Sequence, residues 1–263
     1  MASRTAQRRE SARRAQLALT KAARDAAARR RRRRAGVVAI TAAFLVLAAI
    51  IASGSGGRTA TAADGARVVG TVYSRSLLAG IPQQGLVLGS AHAPVRIVEF
   101  ADLQCPYCDE FATRALPSLI ADYVRPGKVS FEFRNLSFIG PGSVRAGLAA
   151  AGAGQQNKLW NFLELMYLNQ GEENSGYVTN AYLHRLLASV PRLDVARAER
   201  ASDGPRAAAV LAAANAAAAE NGIDATPSFL VGHTGGALRV FQPDGLTAGP
   251  FAHEFDSLLA RRR

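Results

Sequence analysis

Cys105 and Cys108 are the only two cysteines among the 263 residues of the chain, and they lie three positions apart. Two cysteines at this spacing can form a reversible disulfide when the first lies at the start of a helix. There the free backbone N–H groups and the positive end of the helix dipole stabilise a thiolate. Such cysteines have pKa values of roughly 3.5–7.5, low enough to populate the nucleophile at neutral pH. The pair therefore predicts thiol–disulfide chemistry.

Two other uses of the cysteine pair remain open on spacing alone. A zinc site needs four ligands, usually from a second such pair or from closely spaced histidines. The chain has no second pair, and its histidines are scattered: His92, His184, His233 and His253. A purely structural disulfide closing so short a loop would remove little entropy from the unfolded chain. Redox chemistry is therefore favoured, with no metal and no organic cofactor.

The net charge of +12 is concentrated at the N-terminal end. Residues 1–34 carry thirteen Lys or Arg and two acidic residues, whereas residues 54–263 have a net charge of +1. A nucleic-acid-binding domain would need a basic face on its folded body, so we expect no nucleic-acid partner. Residues 1–34 are predicted to form a solvated basic tail in the cytoplasm.

Residues 35–52 are an uncharged apolar segment that directly follows six arginines, Arg29 to Arg34. A helix of this length reaches about 27 Å, enough for the hydrocarbon core of a bilayer. The arginines predict that the N-terminal side stays in the cytoplasm and the C-terminal body is exported. The segment therefore predicts a single membrane anchor in contact with lipid. A signal peptide cleaved near Ala60-Thr61-Ala62 and a twin-arginine export signal are the alternatives.

Whichever export route applies, the cysteines are expected outside the cytoplasm, where disulfides persist.

Residues 53–84 are predicted to be a Gly- and Ala-rich tether that ends in an extended lead-in or an edge hairpin. The domain is predicted to follow over residues 85–263. Its first clear element is Val95–Phe100, a β-branched and aromatic segment typical of a strand.

A helix is predicted from Pro106, a residue that suits the first helical position, to about Tyr123, with a kink at Pro117. The remaining pattern is a strand at 129–133, four or five helices in a block at 141–221, a strand pair at 228–231 and 238–241, and a closing helix at 250–262. This order predicts an α/β fold interrupted by a helical insertion.

Two segments carry a resemblance to a known family. They are Val98–Cys108, with the sequence VEFADLQCPYC, and Ala225–Phe229, with the sequence ATPSF. Together with the order of elements, they resemble the DsbA-like thiol–disulfide oxidoreductases of the bacterial cell envelope. Members of this family have a thioredoxin fold with a helical insertion. The resemblance covers about residues 85–260.

The resemblance implies roles for individual residues. Cys105 would be the attacking, partly exposed cysteine, and Cys108 the buried cysteine that resolves the mixed disulfide. Pro227 matches the family's cis-proline, which lies against the disulfide and leaves backbone groups free to pair with an extended substrate. Thr226 would tune redox poise and substrate release. Tyr107 is expected to be exposed, where it contacts apolar substrate segments or tunes the start of the helix.

Glu99 is unexpected in so apolar a strand, because a buried carboxylate is costly to ionise. The family commonly has a buried acid at this position, near the second cysteine. We therefore expect the pKa of Glu99 to be raised and its carboxyl to exchange a proton with Cys108. The alternative is that Glu99 points to solvent at an edge of the sheet. Asp102 is expected to act in a turn or helix cap, rather than as a catalyst.

Three aromatic residues of the helical block are expected in the core, with a groove beside Cys105 as the alternative for some of them: Trp160, Phe162 and Tyr167.

The sequence as a whole predicts an exported, membrane-tethered oxidoreductase that forms disulfides in extracytoplasmic proteins. The resemblance implies unfolded or reduced exported proteins as substrates and a quinone-linked membrane thiol oxidase as the redox partner. A reductase or isomerase of the same fold, and a binding module with a redox-sensitive latch, are the alternatives.

Overall fold

A computed structural model describes residues 67–261 of the chain. The predicted basic tail, the predicted anchor at 35–52 and most of the predicted tether lie outside these residues. Within 67–261, no helix is both long enough and apolar enough to cross a bilayer.

The described chain contains a mixed sheet of six strands in the order β1-β2-β4-β3-β5-β6. The strands are β1 Gln83–Gln84, β2 Val87–Leu88, β3 Val95–Ala101, β4 Val129–Asn135, β5 Ser228–His233 and β6 Arg239–Phe241. The central pair β3 and β4 is parallel, and every other neighbouring pair is antiparallel. Strand β3 lies between β4 and β5, so the residues that end β3 emerge at the middle of the sheet.

The helices are α1 Thr71–Leu77, α2 Pro106–Glu110, α3 Leu116–Leu119, α4 Pro141–Gly154, α5 Leu159–Leu168, α6 Asn180–Ser189, α7 Val195–Ser202, α8 Pro205–Glu220 and α9 Ala248–Ala260. Two π-helical turns, Phe111–Ala115 and Ile120–Val124, make one continuous helical segment of α2 and α3. Pro117 falls in the first turn of α3, where its missing N–H costs little. Five helices, α4 to α8, fill the predicted insertion, which confirms a thioredoxin-like α/β fold with a helical insertion.

The segment before the first hairpin differs from the prediction. An extended lead-in or an edge hairpin was expected there. The hairpin is present as β1–β2 at the edge of the sheet, but helix α1 before it was not expected. Val72 and Tyr73 give the segment the composition of a strand, but Ser74 and Leu78 are buried one helical turn apart on a single face. Packed structure therefore begins upstream of residue 85.

Strand β3 is covered on both faces. Val95, Ile97 and Ala101 belong to the main hydrophobic core, whereas Val98 and Phe100 belong to a smaller core beneath α8. Side chains alternate along a strand, so Glu99 lies on the face of the main core. It is paired with Phe133 of β4 and Phe229 of β5 and has 2% of its surface exposed. The alternative that placed Glu99 at a solvent-exposed edge is wrong.

Candidate active site

Asp102 organises the turn between β3 and α2. Its buried carboxylate accepts the backbone N–H of Gln104 at 2.8 Å and the backbone N–H groups of Phe138 and Ile139 at 3.0 and 3.1 Å. Charge-assisted bonds of this kind are roughly twice as strong as neutral ones. Asp102 thus connects the turn to the loop after β4, in agreement with the predicted turn role.

Residues directly after helix α5 bind the backbone of the cysteine loop, the segment from Leu103 to Cys105. The side-chain amide of Gln170 donates to the carbonyl oxygens of Leu103 and Cys105, at 3.1 and 3.2 Å. Its neighbour Asn169 bonds both the N–H and the carbonyl of Val69, at 2.9 and 3.1 Å. Two consecutive residues therefore connect the cysteine loop with the first residues of the described chain. No sequence signal had distinguished them.

Cys105 is the N-cap residue of α2, and Pro106 takes the first helical position as predicted. Both thiols are free, and Cys105 has 5% of its surface exposed while Cys108 has none. The expectation that Cys105 is partly exposed therefore overstates its exposure. The reason is the Thr226–Pro227 segment, whose peptide bond is cis: the Cys105 Sγ donates to the Thr226 carbonyl oxygen at 3.5 Å.

The two thiols have opposite pKa shifts. The pKa of Cys105 is lowered to about 6, chiefly because the Cys108 thiol donates a hydrogen bond to it. Burial opposes this effect, while Thr226 and the backbone N–H groups of Cys108 and Tyr107 add to it. The pKa of Cys108 lies well above its ordinary value because of burial, its hydrogen bond to Cys105, and the charges of Cys105 and Glu99. Near neutral pH the nucleophile is therefore Cys105.

This difference predicts the alkylation behaviour of the reduced protein. The rate of reaction with iodoacetamide should rise with pH around a midpoint near 6, because the thiolate of Cys105 is the reacting form. In a Cys108→Ala variant the midpoint should move upward, because the largest contribution to the shift is lost. A midpoint near the ordinary cysteine value of about 8.5 in the native protein would contradict this assignment.

Two carboxyl groups are buried in this region, Glu99 near the cysteines and Glu164 near Glu99. Burial, followed by the charges of Glu164 and Cys105, raises the pKa of Glu99 to about 8, as the sequence had led us to expect. Its Oε1 has no hydrogen-bond partner among the described residues. Glu164 on α5 is 3% exposed, and burial raises its pKa to about 8 as well. Glu164 was not among the predicted site residues, although an acid in the apolar run Leu159–Leu168 carries the same signal as Glu99 in β3.

The three aromatic residues predicted in the core are all buried there: Trp160, Phe162 and Tyr167. Trp160 donates its indole N–H to the Leu86 carbonyl at 3.1 Å. Among the residues described, the Tyr167 hydroxyl has no hydrogen-bond partner. Burial first, then the charges of Cys108 and Glu99, raise its pKa. Tyr167 is therefore part of the apolar cover of the buried thiol.

A groove of about 380 Å³ runs beside the cis peptide bond. Tyr107 lines it and is 62% exposed, as predicted, and the opposite wall includes Val240 of β6 and Leu246. Thr226 and Pro227 form its edge next to Cys105. Within residues 67–261, no cluster of three or more His, Cys, Asp or Glu side chains could hold a metal ion.

A family model described as thioredoxin matches residues 82–237, more than half of the chain. The chain belongs to the thioredoxin family. The match includes the cysteine pair, Glu99 and Pro227, and it ends within the turn that connects β5 and β6.

Comparison with known proteins shows which members of the thioredoxin family this chain resembles. The chain is 34% identical over 111 residues to a probable disulfide bond formation protein D of Bacillus cereus, covering 41% of this chain and 51% of the relative. It thus spans about half the length of the curated relatives it matches. Oxidised BdbD from Bacillus subtilis superposes with a TM-score of 0.59 at 25% identity, over 68% of this chain and 97% of that one. DsbA from Chlamydia trachomatis superposes with a TM-score of 0.58 at 19% identity, over 67% and 92%. The resemblance to DsbA-like proteins is confirmed.

Proposed function

We propose that the protein is a thiol–disulfide oxidoreductase that introduces disulfides into other exported proteins. The observation that carries the proposal is the contrast between its two thiols, one of low pKa at a helix start and one buried with a high pKa. A thiol–disulfide exchange centre needs one sulfur that reacts with outside partners and a second that stays shielded beside it. The similarity to disulfide bond formation proteins supports the same activity.

The reaction begins with the oxidised form, in which Cys105 and Cys108 share a disulfide. A substrate thiolate attacks the Sγ of Cys105, a mixed disulfide forms, and the bond to Cys108 breaks. A second substrate thiolate then attacks the substrate sulfur of the mixed disulfide. The substrate leaves with its own disulfide, Cys105 leaves as a thiolate, and the enzyme holds two more electrons than before.

Glu99 supplies the proton that this cycle needs. The sulfur of Cys108 leaves as a thiolate in a buried site where its pKa is high, so it takes up a proton. With a pKa of about 8, Glu99 is mostly protonated at neutral pH and can donate that proton. When the disulfide is formed again, the carboxylate takes the proton back.

An extended substrate segment would bind along the Thr226–Pro227 edge. Thr226 and Pro227 line the groove, and the Thr226 carbonyl lies within 3.5 Å of the Cys105 sulfur, so a peptide in the groove would pass close to the reactive thiol. Tyr107 and Val240 offer exposed apolar surface on both sides of the groove. An unfolded chain, with its apolar residues accessible, fits such a groove better than a folded surface does.

The direction of electron flow is proposed to be oxidative. A stabilised Cys105 thiolate is a good leaving group and favours the reduced form of the protein, so the disulfide is readily donated. The protein has no third cysteine, so electrons must leave through another protein. We propose residues 35–52 as a membrane anchor that holds the domain outside the cytoplasm, near a quinone-linked thiol oxidase.

The reduction potential tests the direction. The full chain would be equilibrated with glutathione buffers of graded composition, and the fraction of reduced Cys105–Cys108 pair measured by mass after thiol trapping. We expect a potential closer to about −120 mV than to about −270 mV. A reduction potential near about −270 mV would indicate that the protein is a reductase instead of an oxidase. Absence of any redox transition would contradict thiol–disulfide exchange altogether.

A further inference from the structure

We propose that a basic surface beside helix α1 binds the headgroups of an anionic lipid membrane. This surface, called here the α1 face, consists of Arg75, Lys158, Arg192 and the exposed side of α1. Two cavities of about 390 and 350 Å³ adjoin there and share Arg75, Pro191 and Arg192 in their walls. The inference rests on the proposed membrane anchor and goes beyond the redox chemistry.

All the described charged side chains that line the two cavities of the α1 face are positive. Arg75, Lys158 and Arg192 line the cavities, and no described Asp or Glu does. Among residues 67–261, none of these three cations takes part in an ion pair. Residues 54–263 have a net charge of only +1, so such a local concentration is not a general excess of basic residues.

Lys158 and Arg192 lie close enough to repel each other. Burial first, then the charge of Arg192, lowers the pKa of Lys158. Both side chains line the first cavity, which no described Asp or Glu lines. A phosphate group placed between the two cations would relieve their repulsion.

An exposed apolar side chain accompanies these cations. Val72 of α1 lines the second cavity together with Arg75 and Arg192, and its side chain is 68% exposed. An apolar side chain that projects beside unpaired cations suits the interface of a membrane, where the apolar group enters the headgroup region and the cations meet phosphate. A soluble anion alone would leave Val72 in water.

The α1 face lies close in sequence to the proposed anchor, which favours a membrane as the partner that binds it. The apolar segment ends at residue 52, and fourteen residues, 53–66, separate it from Arg67. Fourteen residues span at most about 50 Å even when fully extended. Helix α1 is the first helix of the described chain, so an anchor at residues 35–52 would keep it within this reach of the bilayer. Anionic lipids attract basic side chains over about a Debye length, so a brief approach suffices for contact.

The test separates binding by the α1 face from binding by the anchor. The full chain, with a protease site inserted in residues 53–66, is reconstituted into vesicles of phosphatidylcholine with or without phosphatidylglycerol. After cleavage and sedimentation, the released part should stay with the anionic vesicles at low salt. It should dissociate at high salt, and it should leave the neutral vesicles at any salt.

A triple variant, Arg75→Gln, Lys158→Gln and Arg192→Gln, should partition onto the anionic vesicles on the order of 100-fold more weakly. A matched variant that loses three exposed cations elsewhere should bind like the native protein: Arg114→Gln, Arg200→Gln and Arg206→Gln. Both should keep native thiol oxidation in solution, which shows that they are folded. Equal retention of the triple variant and the native protein would overturn the proposal. An uncleaved chain that fails to sediment with neutral vesicles would instead contradict the anchor.

Discussion

Replacement of Cys105 by serine is expected to abolish catalysed oxidation of reduced proteins, lowering the rate by at least about 10³-fold. Serine keeps the helix N-cap but carries no thiolate, and the remaining Cys108 is fully buried with a raised pKa. The measurement is the rate at which a reduced, unfolded substrate regains its disulfides. Arg114→Ala, at an exposed position of the same helical segment, is the control and should retain the native rate.

The complementary variant, Cys108→Ala, should behave differently from Cys105→Ser. Its Cys105 can still form a mixed disulfide with a substrate, but no neighbouring thiol is left to release it. Adducts that disappear on treatment with a reductant should therefore accumulate and be identifiable by mass. If Cys105→Ser keeps native activity, or if Cys108→Ala forms no adducts with reactive substrate disulfides, the exchange mechanism is wrong.

The free energy of unfolding of the reduced protein is expected to fall as the pH rises from about 5 to 8. Glu99 and Glu164 have pKa values of about 8 in the folded chain, against about 4.3 in an unfolded one. Between these values the two carboxyl groups hold more protons in the native state than in the unfolded state, so their contribution to stability decreases with pH. Above pH 6 the Cys105 thiol, whose pKa is lowered to about 6, offsets part of this decrease. Each carboxyl that is protonated when folded and ionised when unfolded contributes about 1.4 kcal/mol per pH unit.

Urea unfolding at several pH values measures this slope. The double variant Glu99→Gln/Glu164→Gln should flatten it and should gain stability relative to the native protein at the high end of the range. Each single variant should remove part of the slope. Glu173→Gln, which changes an exposed carboxyl, should leave the slope unchanged. An unchanged slope in the double variant would show that neither buried carboxyl is held protonated by the fold.

The local parts of the fold could be predicted because their signals lie in adjacent residues. Strand β3 has a β-branched, apolar segment, and α2 begins at Pro106. Three of the four breaks between the helices of the insertion contain Gly or Pro. Helix α1 was not predicted, because its helical face becomes visible only where Ser74 and Leu78 pack inward.

The residues of the candidate site could likewise be predicted only where their signal lies in the neighbouring sequence. Cys105, Cys108 and Glu99 carry chemistry that their own sequence context reveals. Glu164 carried an equally clear local signal, but its effect on Glu99 depends on how α5 packs beneath the sheet. Gln170 could not have been singled out, because a glutamine near the end of a helix has no distinctive pattern. Its importance comes from the two carbonyl groups that the fold brings to it.

The pairing of Asn169 with Val69, next to the pairing of Gln170 with Cys105, has a mechanical consequence. The place where the chain enters the folded body is adjacent to the reactive sulfur. A pull on the chain upstream of Val69 would first load its pair of hydrogen bonds with Asn169. The next residue, Gln170, would pass that load to the backbone of the loop that carries Cys105. The geometry around the reactive sulfur is therefore sensitive to how firmly the first described residues are held, whereas the opposite edge of the sheet is not.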